Sequence, residues 1–211
     1  MSQHQGGIAV VQQKESVVTP ERFAQGRTYA QYIDAIDRNQ NRFAENYDGT
    51  TIATDDAAKL KALAARPGGP AKLMLLGEAW CPDVFRGAPV FARIAEAAGL
   101  EMRVFPRDEN KDIMAEYLHH GEHESIPVAV FYTKDHDYIA HWIERPVLAN
   151  KEMADLAPMF ERLRKPDMTP EERAAARDEY IAFQTGPIWA NWRHETVHEV
   201  IDLLDQKIPS S

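Results

Sequence analysis

Short apolar runs and amphipathic stretches alternate through the middle of the chain. The run Lys72-Leu73-Met74-Leu75-Leu76 is bounded by turn residues, which is typical of a buried strand. In the stretch that follows, Val90, Ile94 and Ala98 have core spacing for a helix, and Gly99 comes directly after it. A strand, a helix, a strand, a helix and a hairpin predict an α/β fold with a mixed sheet. The predicted segments after the first strand are residues 84–98 (helix), 102–105 (strand), 112–120 (helix), 127–132 (strand) and 138–143 (strand).

Helical patterns flank this region on both sides. Helix-start signals are a Thr or Asp before the apolar positions, with Pro or acidic residues in the first turn. Pro158 lies inside one predicted helix and is expected to kink or split it. Trp189 and Trp192 are expected to pack the last helix against the core. The predicted flanking helices are residues 19–26, 28–48, 55–65, 147–163, 169 onward and 188–206.

The pattern predicts one compact domain with four parts. Residues 1–18 are expected to form a flexible tail, because their short apolar run lacks the basic region of a signal peptide. Residues 19–66 form a helical lead-in, residues 71–145 the core, and residues 146–211 a set of C-terminal helices.

Composition narrows the classes of partner. The chain has 211 residues, 24 basic and 33 acidic side chains and a formal net charge of -9. An acidic chain without long basic clusters argues against nucleic acid or an anionic membrane as a partner. No stretch reaches the roughly 18 apolar residues of a membrane span. A single cysteine excludes an intramolecular disulfide and suits a cytoplasmic location.

That cysteine, Cys81, lies at the junction between the first predicted strand and the helix after it. A thiol at a helix start lies near free N–H groups and the positive end of the helix dipole, which favour the thiolate. The neighbouring Asp83 acts in the opposite direction, since a second negative charge raises a thiol pKa. Two prolines add to the pattern, Pro89 inside the helix and Pro127 at the start of the third strand, where a cis bond is a candidate.

Several ordered motifs together resemble the thioredoxin-like superfamily, over about residues 19–146. They are similar above all to a bacterial thioredoxin-like group with a Trp-Cys-x-Asp-Cys turn. The motifs are Trp80-Cys81-Pro82-Asp83, Pro89, Arg107-Asp108-Glu109-Asn110, Ser125-Ile126-Pro127 and Glu144-Arg145-Pro146.

The resemblance implies a thioredoxin-like three-layer fold with helical extensions, and it implies a site. Cys81 matches the nucleophile that attacks a substrate disulfide, and Pro127 matches the cis-proline beside it. Trp80, Pro82, Asp83 and Ile126 complete the implied substrate-binding surface. The implied partner is glutathione or a protein thiol or disulfide, and no cofactor is expected.

Two positions depart from the family pattern. Val84 stands where the family has the second, resolving cysteine, so a mixed disulfide at Cys81 has no internal thiol to release it. Leu75 stands where thioredoxins often have a buried acid, for which Glu78 or Asp83 is a partial substitute. Three functions stay open: a monothiol redox protein, a redox-inactive binding or interaction module, and another activity on the same scaffold.

One further motif points to different chemistry. His194-Glu195-Thr196-Val197-His198 matches the H-E-x-x-H pattern, which on a helix places two imidazoles on one face. The extended zincin pattern is missing, because Ile201 and Leu204 occupy its later positions. A zinc-dependent hydrolase is therefore a minor alternative, no metal is assigned, and a solvated helix face is the expectation.

Overall fold

A computed structural model describes residues 16–209, and in it nine helices surround a four-stranded mixed sheet. The strands are β1 (Lys72–Gly77), β2 (Glu101–Pro106), β3 (Val128–Tyr132) and β4 (Tyr138–Ile143). The helices are α1 (Pro20–Gln25), α2 (Tyr29–Ala35), α3 (Gln40–Asp48), α4 (Thr54–Ala65), α5 (Pro82–Ala98), α6 (Lys111–Met114), α7 (Val147–Leu163), α8 (Pro170–Thr185) and α9 (Pro187–Lys207).

The sheet has the strand order β2-β1-β3-β4, with β1 parallel to β2 and antiparallel to β3. Leu75 of β1 lies between Val104 and Ala129 of its two neighbours and is fully buried. A strand that is covered on both faces needs a continuous apolar sequence, which the 72–76 run provides. The predicted α/β fold with a mixed sheet and helical extensions is confirmed.

Helix α5 connects β1 to β2 and places its N-terminus at the end of β1. It ends at Gly99, whose φ of 73° is in the left-handed region that glycine adopts without penalty. Pro89 lies inside this helix as predicted, and the buried faces of Phe85, Val90 and Ile94 pack into the core.

The predicted helix over residues 28–48 is wrong in one respect, because the chain forms two helices there. Asn39 has a φ of 60° and interrupts the helical path between α2 and α3. The side chain of Gln40 donates hydrogen bonds to the carbonyls of Ile33 and Ile36, at 3.2 and 3.1 Å. These bonds satisfy backbone groups that a continuous helix would have used itself.

The predicted helix over residues 112–120 is also wrong, since α6 ends at Met114. The segment that follows turns back on itself through a bridge between His119 and His123. Glu116 lies near the start of the described chain. Its carboxylate accepts hydrogen bonds from the Ser16 hydroxyl and the Val17 N–H, both at 2.7 Å.

The C-terminal helices follow the predicted boundaries. A kink or a split is predicted at Pro158, and α7 continues through Pro158 without a split. Trp189 and Trp192 of α9 are buried, which confirms the predicted packing of the last helix.

Residues 1–15 of the predicted flexible tail lie outside the described residues. Its last residue, Val18, is buried in the core. Within residues 16–209, no helix has both the length and the apolar character that crossing a bilayer requires.

Candidate functional site around Cys81

The turn between β1 and α5 holds Cys81 at the position before the helix. Its carbonyl accepts the N–H groups of Val84 and Phe85, both at 3.1 Å, and Pro82 occupies the first helical position. Proline is favoured there because its missing N–H would have had no helical partner. The side chain of Cys81 is half-buried, and no other cysteine exists with which it could pair.

The cis-proline segment lies against the cysteine. The Ile126–Pro127 peptide bond is cis, as the sequence predicted. The Cys81 Sγ lies 3.8 Å from the Ile126 carbonyl oxygen. A Cβ placed on Gly87 of α5 would lie 3.1 Å from Pro127 Cγ, so the helix backbone and the proline ring are in close contact. The structure therefore brings together the predicted thiol and the predicted cis-proline.

Val84 fills the position where the family has its second thiol. It is fully buried, and a Cβ on Gly77 would lie 2.8 Å from its Cγ1. The valine methyl groups thus pack directly on the backbone at the end of β1. The place of the resolving thiol is an apolar core contact.

Asp83 faces the protein rather than the solvent. Its Oδ1 lies 3.1 Å from Arg86 Nη2 and its Oδ2 lies 3.2 Å from Arg145 Nη2. Arg145 also pairs with Glu144, whose φ of 69° lies in the left-handed region. Burial raises the pKa of Asp83, and the two guanidinium groups partly offset that effect.

Arg86 is the largest charged group in the core. It is fully buried, and its guanidinium carbon lies 5.3 and 5.4 Å from the ring centres of Trp189 and Trp192. Its Nη2 also donates to the Glu144 carbonyl at 3.2 Å, whereas its Nε and Nη1 have no hydrogen-bond partner among residues 16–209. A buried cation of this kind depends on its counter-charge and on the aromatic faces around it.

These surroundings set the pKa of the Cys81 thiol above its ordinary value. Burial of the sulfur is the main cause, and the negative charge of Asp83 adds to it. The backbone N–H groups of Val84 and Asp83 and the charge of Arg145 act in the opposite direction and are outweighed. The effect of the helix N-terminus, which favours a thiolate, is therefore not dominant at this site.

Trp80 is on the outer side of the turn and is 46% exposed. Its Nε1 donates to Asp108 Oδ2 at 3.4 Å, and the Arg107 guanidinium carbon lies 5.5 Å from its ring centre. Glu78 accepts the Asp108 N–H at 2.7 Å, so the loop after β2 is tied to the Cys81 turn. Arg107 and Asp108 also form an ion pair of 2.9 Å.

A cavity of about 400 Å³ lies on the inner side of the turn, beside Asp83 and Arg145. The C-terminal helices supply the aromatic part of its wall. Burial raises the pKa of Tyr180 in this wall to about 12, so its phenol stays protonated at neutral pH. The aromatic residues of the wall are Phe160, Tyr180, Phe183, Trp189 and Trp192.

The family described as thioredoxin matches residues 26–159, which is more than half of the chain. This chain belongs to the thioredoxin family. No curated protein matches it.

Two solved structures are similar to this thioredoxin-family chain. One is a protein of unknown function from Pseudomonas aeruginosa, with a TM-score of 0.58 and 14% identity, covering 87% of this chain and 95% of that one. The other is an HIV epitope scaffold, with a TM-score of 0.57 and 15% identity, covering 88% of this chain and 96% of that one. At these identities the likeness concerns the fold alone.

Sequence reasoning missed Arg86 and the pairing role of Arg145. The signal for Arg86 was present, because it follows Asp83 by three residues in a helix that is otherwise apolar at that point. Arg145 was noted only as part of a motif, and no sequence spacing places it on Asp83, which is 62 positions away.

Proposed function

We propose that this thioredoxin-fold protein is a binding module that does not turn over disulfides. The surface formed by Trp80, Cys81 and the Ile126–Pro127 peptide receives an extended peptide segment of a partner protein. The strongest support comes from two side chains close to the Cys81 sulfur, Val84 and Asp83. A buried Val84 stands in place of a resolving thiol, and the Asp83 carboxylate lies behind a thiol whose pKa is raised.

The raised pKa argues against efficient attack on a disulfide. The thiolate is the nucleophile, so a higher pKa leaves a smaller reactive fraction at neutral pH. Even after an attack, the mixed disulfide could leave Cys81 only through a thiol from outside, because the chain has one cysteine.

The backbone beside Cys81 supports peptide binding. The Ile126 N–H makes no hydrogen bond with another residue in the described range 16–209. An extended peptide laid beside it would supply a carbonyl acceptor, as in strand addition to a sheet. The indole of Trp80, the residue before Cys81, is 46% exposed and offers an apolar contact on the same turn.

A second candidate is monothiol redox activity with glutathione or a protein thiol as the resolving partner. The N–H groups of Asp83 and Val84 favour the thiolate, and the sulfur is only half-buried. The thiolate would attack a disulfide, form a mixed disulfide and release one thiolate. A second thiol would then attack the mixed disulfide and restore Cys81. Membership of the bacterial thioredoxin-like group, the cytoplasmic location and the identity of the thiol partner stay predictions.

Insulin reduction separates the two candidates. With dithiothreitol or with glutathione, we expect wild type to add nothing to the rate measured with the Cys81→Ser variant. An acceleration by wild type that needs an added thiol and is absent in Cys81→Ser would favour the monothiol candidate. Catalytic turnover of insulin disulfides without any added thiol would contradict both candidates.

Peptide binding is tested directly with an array of cysteine-free extended peptides. We expect a subset to bind wild type and Cys81→Ser equally, and to lose binding to Trp80→Ala. The matched control is Trp142→Phe, since Trp142 is a buried indole of β4. No binding by any peptide, or binding unaffected by Trp80→Ala, would contradict the proposed surface.

A further inference from the structure

The H-E-x-x-H segment of α9 acquires a third potential ligand from another helix. Asp56 lies in the first turn of α4, and one ligand atom of each of Asp56, His194 and His198 lies within 4.8 Å of the others. His198 Nε2 and Asp56 Oδ2 are 3.3 Å apart. Asp56 and His194 are 138 positions apart in the sequence, so only the fold brings them together.

The burial of Asp56 calls for an explanation that a helix start does not give. Acidic residues in a first turn are stabilised by the helix dipole without being buried, and the neighbouring Asp55 is exposed. Asp56 is only 5% exposed. A buried carboxylate is costly unless a cation or donors compensate it. Here it faces two imidazoles and a mostly exposed lysine, Lys59, whose Nζ lies 3.3 Å from Oδ1.

The distance between His198 Nε2 and Asp56 Oδ2 fits two ligands of one metal ion. Two ligand atoms that are each about 2.0–2.1 Å from a tetrahedral zinc ion lie roughly 3.3–3.4 Å apart. The 3.3 Å between His198 Nε2 and Asp56 Oδ2 falls in that range. His194 is half-exposed at the surface of α9, so a change of rotamer can bring its ring nitrogen to the same distance.

The Glu195 carboxylate lies near the Nδ1 atoms of both histidines. Glu195 Oε1 lies 3.8 Å from His194 Nδ1 and 3.9 Å from His198 Nδ1. Histidine ligands commonly donate their second ring N–H to a carboxylate, which orients the imidazole toward the metal. With His198 Nε2 facing Asp56, its Nδ1 is the nitrogen that faces Glu195.

We propose that Asp56, His194 and His198 form a zinc-binding site that joins α4 to α9. Two imidazoles and one carboxylate favour zinc over magnesium or calcium, which prefer oxygen ligands alone. The site provides three protein ligands and leaves a fourth position for water. Because α4 belongs to the N-terminal lead-in and α9 to the C-terminal helices, the metal would link the two extensions of the core.

The proposal is independent of the function of the Cys81 turn, and the test keeps them separate. Tag-free Cys81→Ala protein is treated with a chelator, desalted and titrated with zinc chloride, so that the thiol contributes no ligand. We expect one equivalent to bind. The variants Asp56→Asn and His194→Ala should each weaken binding by more than about a hundredfold, beyond the loss expected for an outer partner. The matched control, His123→Ala, removes an exposed imidazole from another part of the chain and should bind like its parent.

Thermal unfolding gives a second readout. Zinc at a hundred times its dissociation constant should raise the melting temperature of the parent by about 5–10 °C. The same addition should not raise it for His194→Ala, whose half-exposed side chain can be removed without disturbing the core. Magnesium chloride should have no effect on either protein.

Three results would overturn the proposal. One is the absence of zinc binding by the parent. Another is binding that His194→Ala and Asp56→Asn leave intact. The third is binding that His123→Ala weakens as much as they do, which would indicate unspecific surface histidines.

Discussion

The two sides of the Cys81 turn differ in how closely their side chains match a thioredoxin site. The outer side has the thiol next to a cis-proline peptide and an exposed tryptophan, which is the arrangement that the family resemblance implied. The inner side has a buried valine and an Asp83–Arg86–Arg145 cluster under the C-terminal helices. The backbone geometry of a thioredoxin site thus coexists with side chains that oppose its redox chemistry.

The comparison teaches that position and reactivity are separate properties of a cysteine. A helix N-terminus places the Cys81 thiol where thiolates are usually stabilised. Burial and one carboxylate on the inner side are enough to reverse the direction of the pKa shift. Variants on the inner side should therefore change stability and thiol reactivity, while variants on the outer side should change binding.

The largest expected effect is on the inner side, at Arg86. The variant Arg86→Met removes a fully buried cation and leaves Asp83 with one guanidinium partner. Breaking a buried ion pair from one side costs about 3–5 kcal/mol, and urea denaturation should show a loss of that order in the free energy of unfolding. As a control, Arg162→Met removes an exposed partner of Glu179 and should cost about 1 kcal/mol or less.

A double variant sharpens this prediction. Asp83→Asn combined with Arg86→Met should be more stable than the sum of the single variants implies, because it leaves no unpaired charge. Additive losses would mean that the pair is not coupled, and an Arg86→Met protein as stable as Arg162→Met would contradict the account of the cluster.

The next largest effect is expected on the pKa and the alkylation rate of Cys81. The variant Asp83→Asn removes a negative charge that raises the pKa of Cys81, so the pKa should fall. The lower pKa raises the thiolate fraction at pH 7, so alkylation by iodoacetamide should be faster than in wild type. Asp108→Asn is the matched control, because that carboxylate bonds to Trp80 and is not among the groups that shift the thiol. Equal rates in the two variants would contradict the role of Asp83.

A smaller effect is expected from restoring the second thiol. Val84→Cys should give weak insulin reduction above the wild-type background, because a thiol three residues after Cys81 can resolve the mixed disulfide. The activity should stay low while Asp83 is present, and the addition of Asp83→Asn should increase it. Val84→Ser offers no thiol and serves as the control. Strong activity in wild type would show that Val84 does not limit the chemistry.

The smallest effect on stability is expected on the outer side. Trp80→Ala removes an indole that is 46% exposed, so the free energy of unfolding should change by about 0.5 kcal/mol or less. Peptide binding should nevertheless be lost. A large loss of stability in thermal unfolding would show that Trp80 is part of the core and not of a binding surface.

Much of the core could be predicted from the sequence because its signals are local. The apolar run at residues 72–76, Gly99 after a periodic helix and the proline at 127 each determine local structure by themselves. The site thiol and its cis-proline partner followed from these positions together with the family resemblance.

The errors arose where local side-chain bonds or tertiary contacts override the periodic pattern. Tyr29, Ile33 and Phe43 keep helical spacing across the break at Asn39, so periodicity alone predicted one helix. The inner side of the turn depends on Arg145 and on Trp189, which reach Asp83 and Arg86 from distant parts of the chain. The direction of the Cys81 pKa shift depends on that packing, and no sequence pattern predicts the packing.

The pH dependence of Cys81 alkylation tests the central claim most directly. The claim is that burial and Asp83 raise the pKa of the Cys81 thiol above that of a free cysteine. Rates measured with iodoacetamide in folded wild type should rise with a midpoint above the free-cysteine value of about 8.5. A midpoint at or below that value would contradict the account, because the pKa of Cys81 would then not be raised.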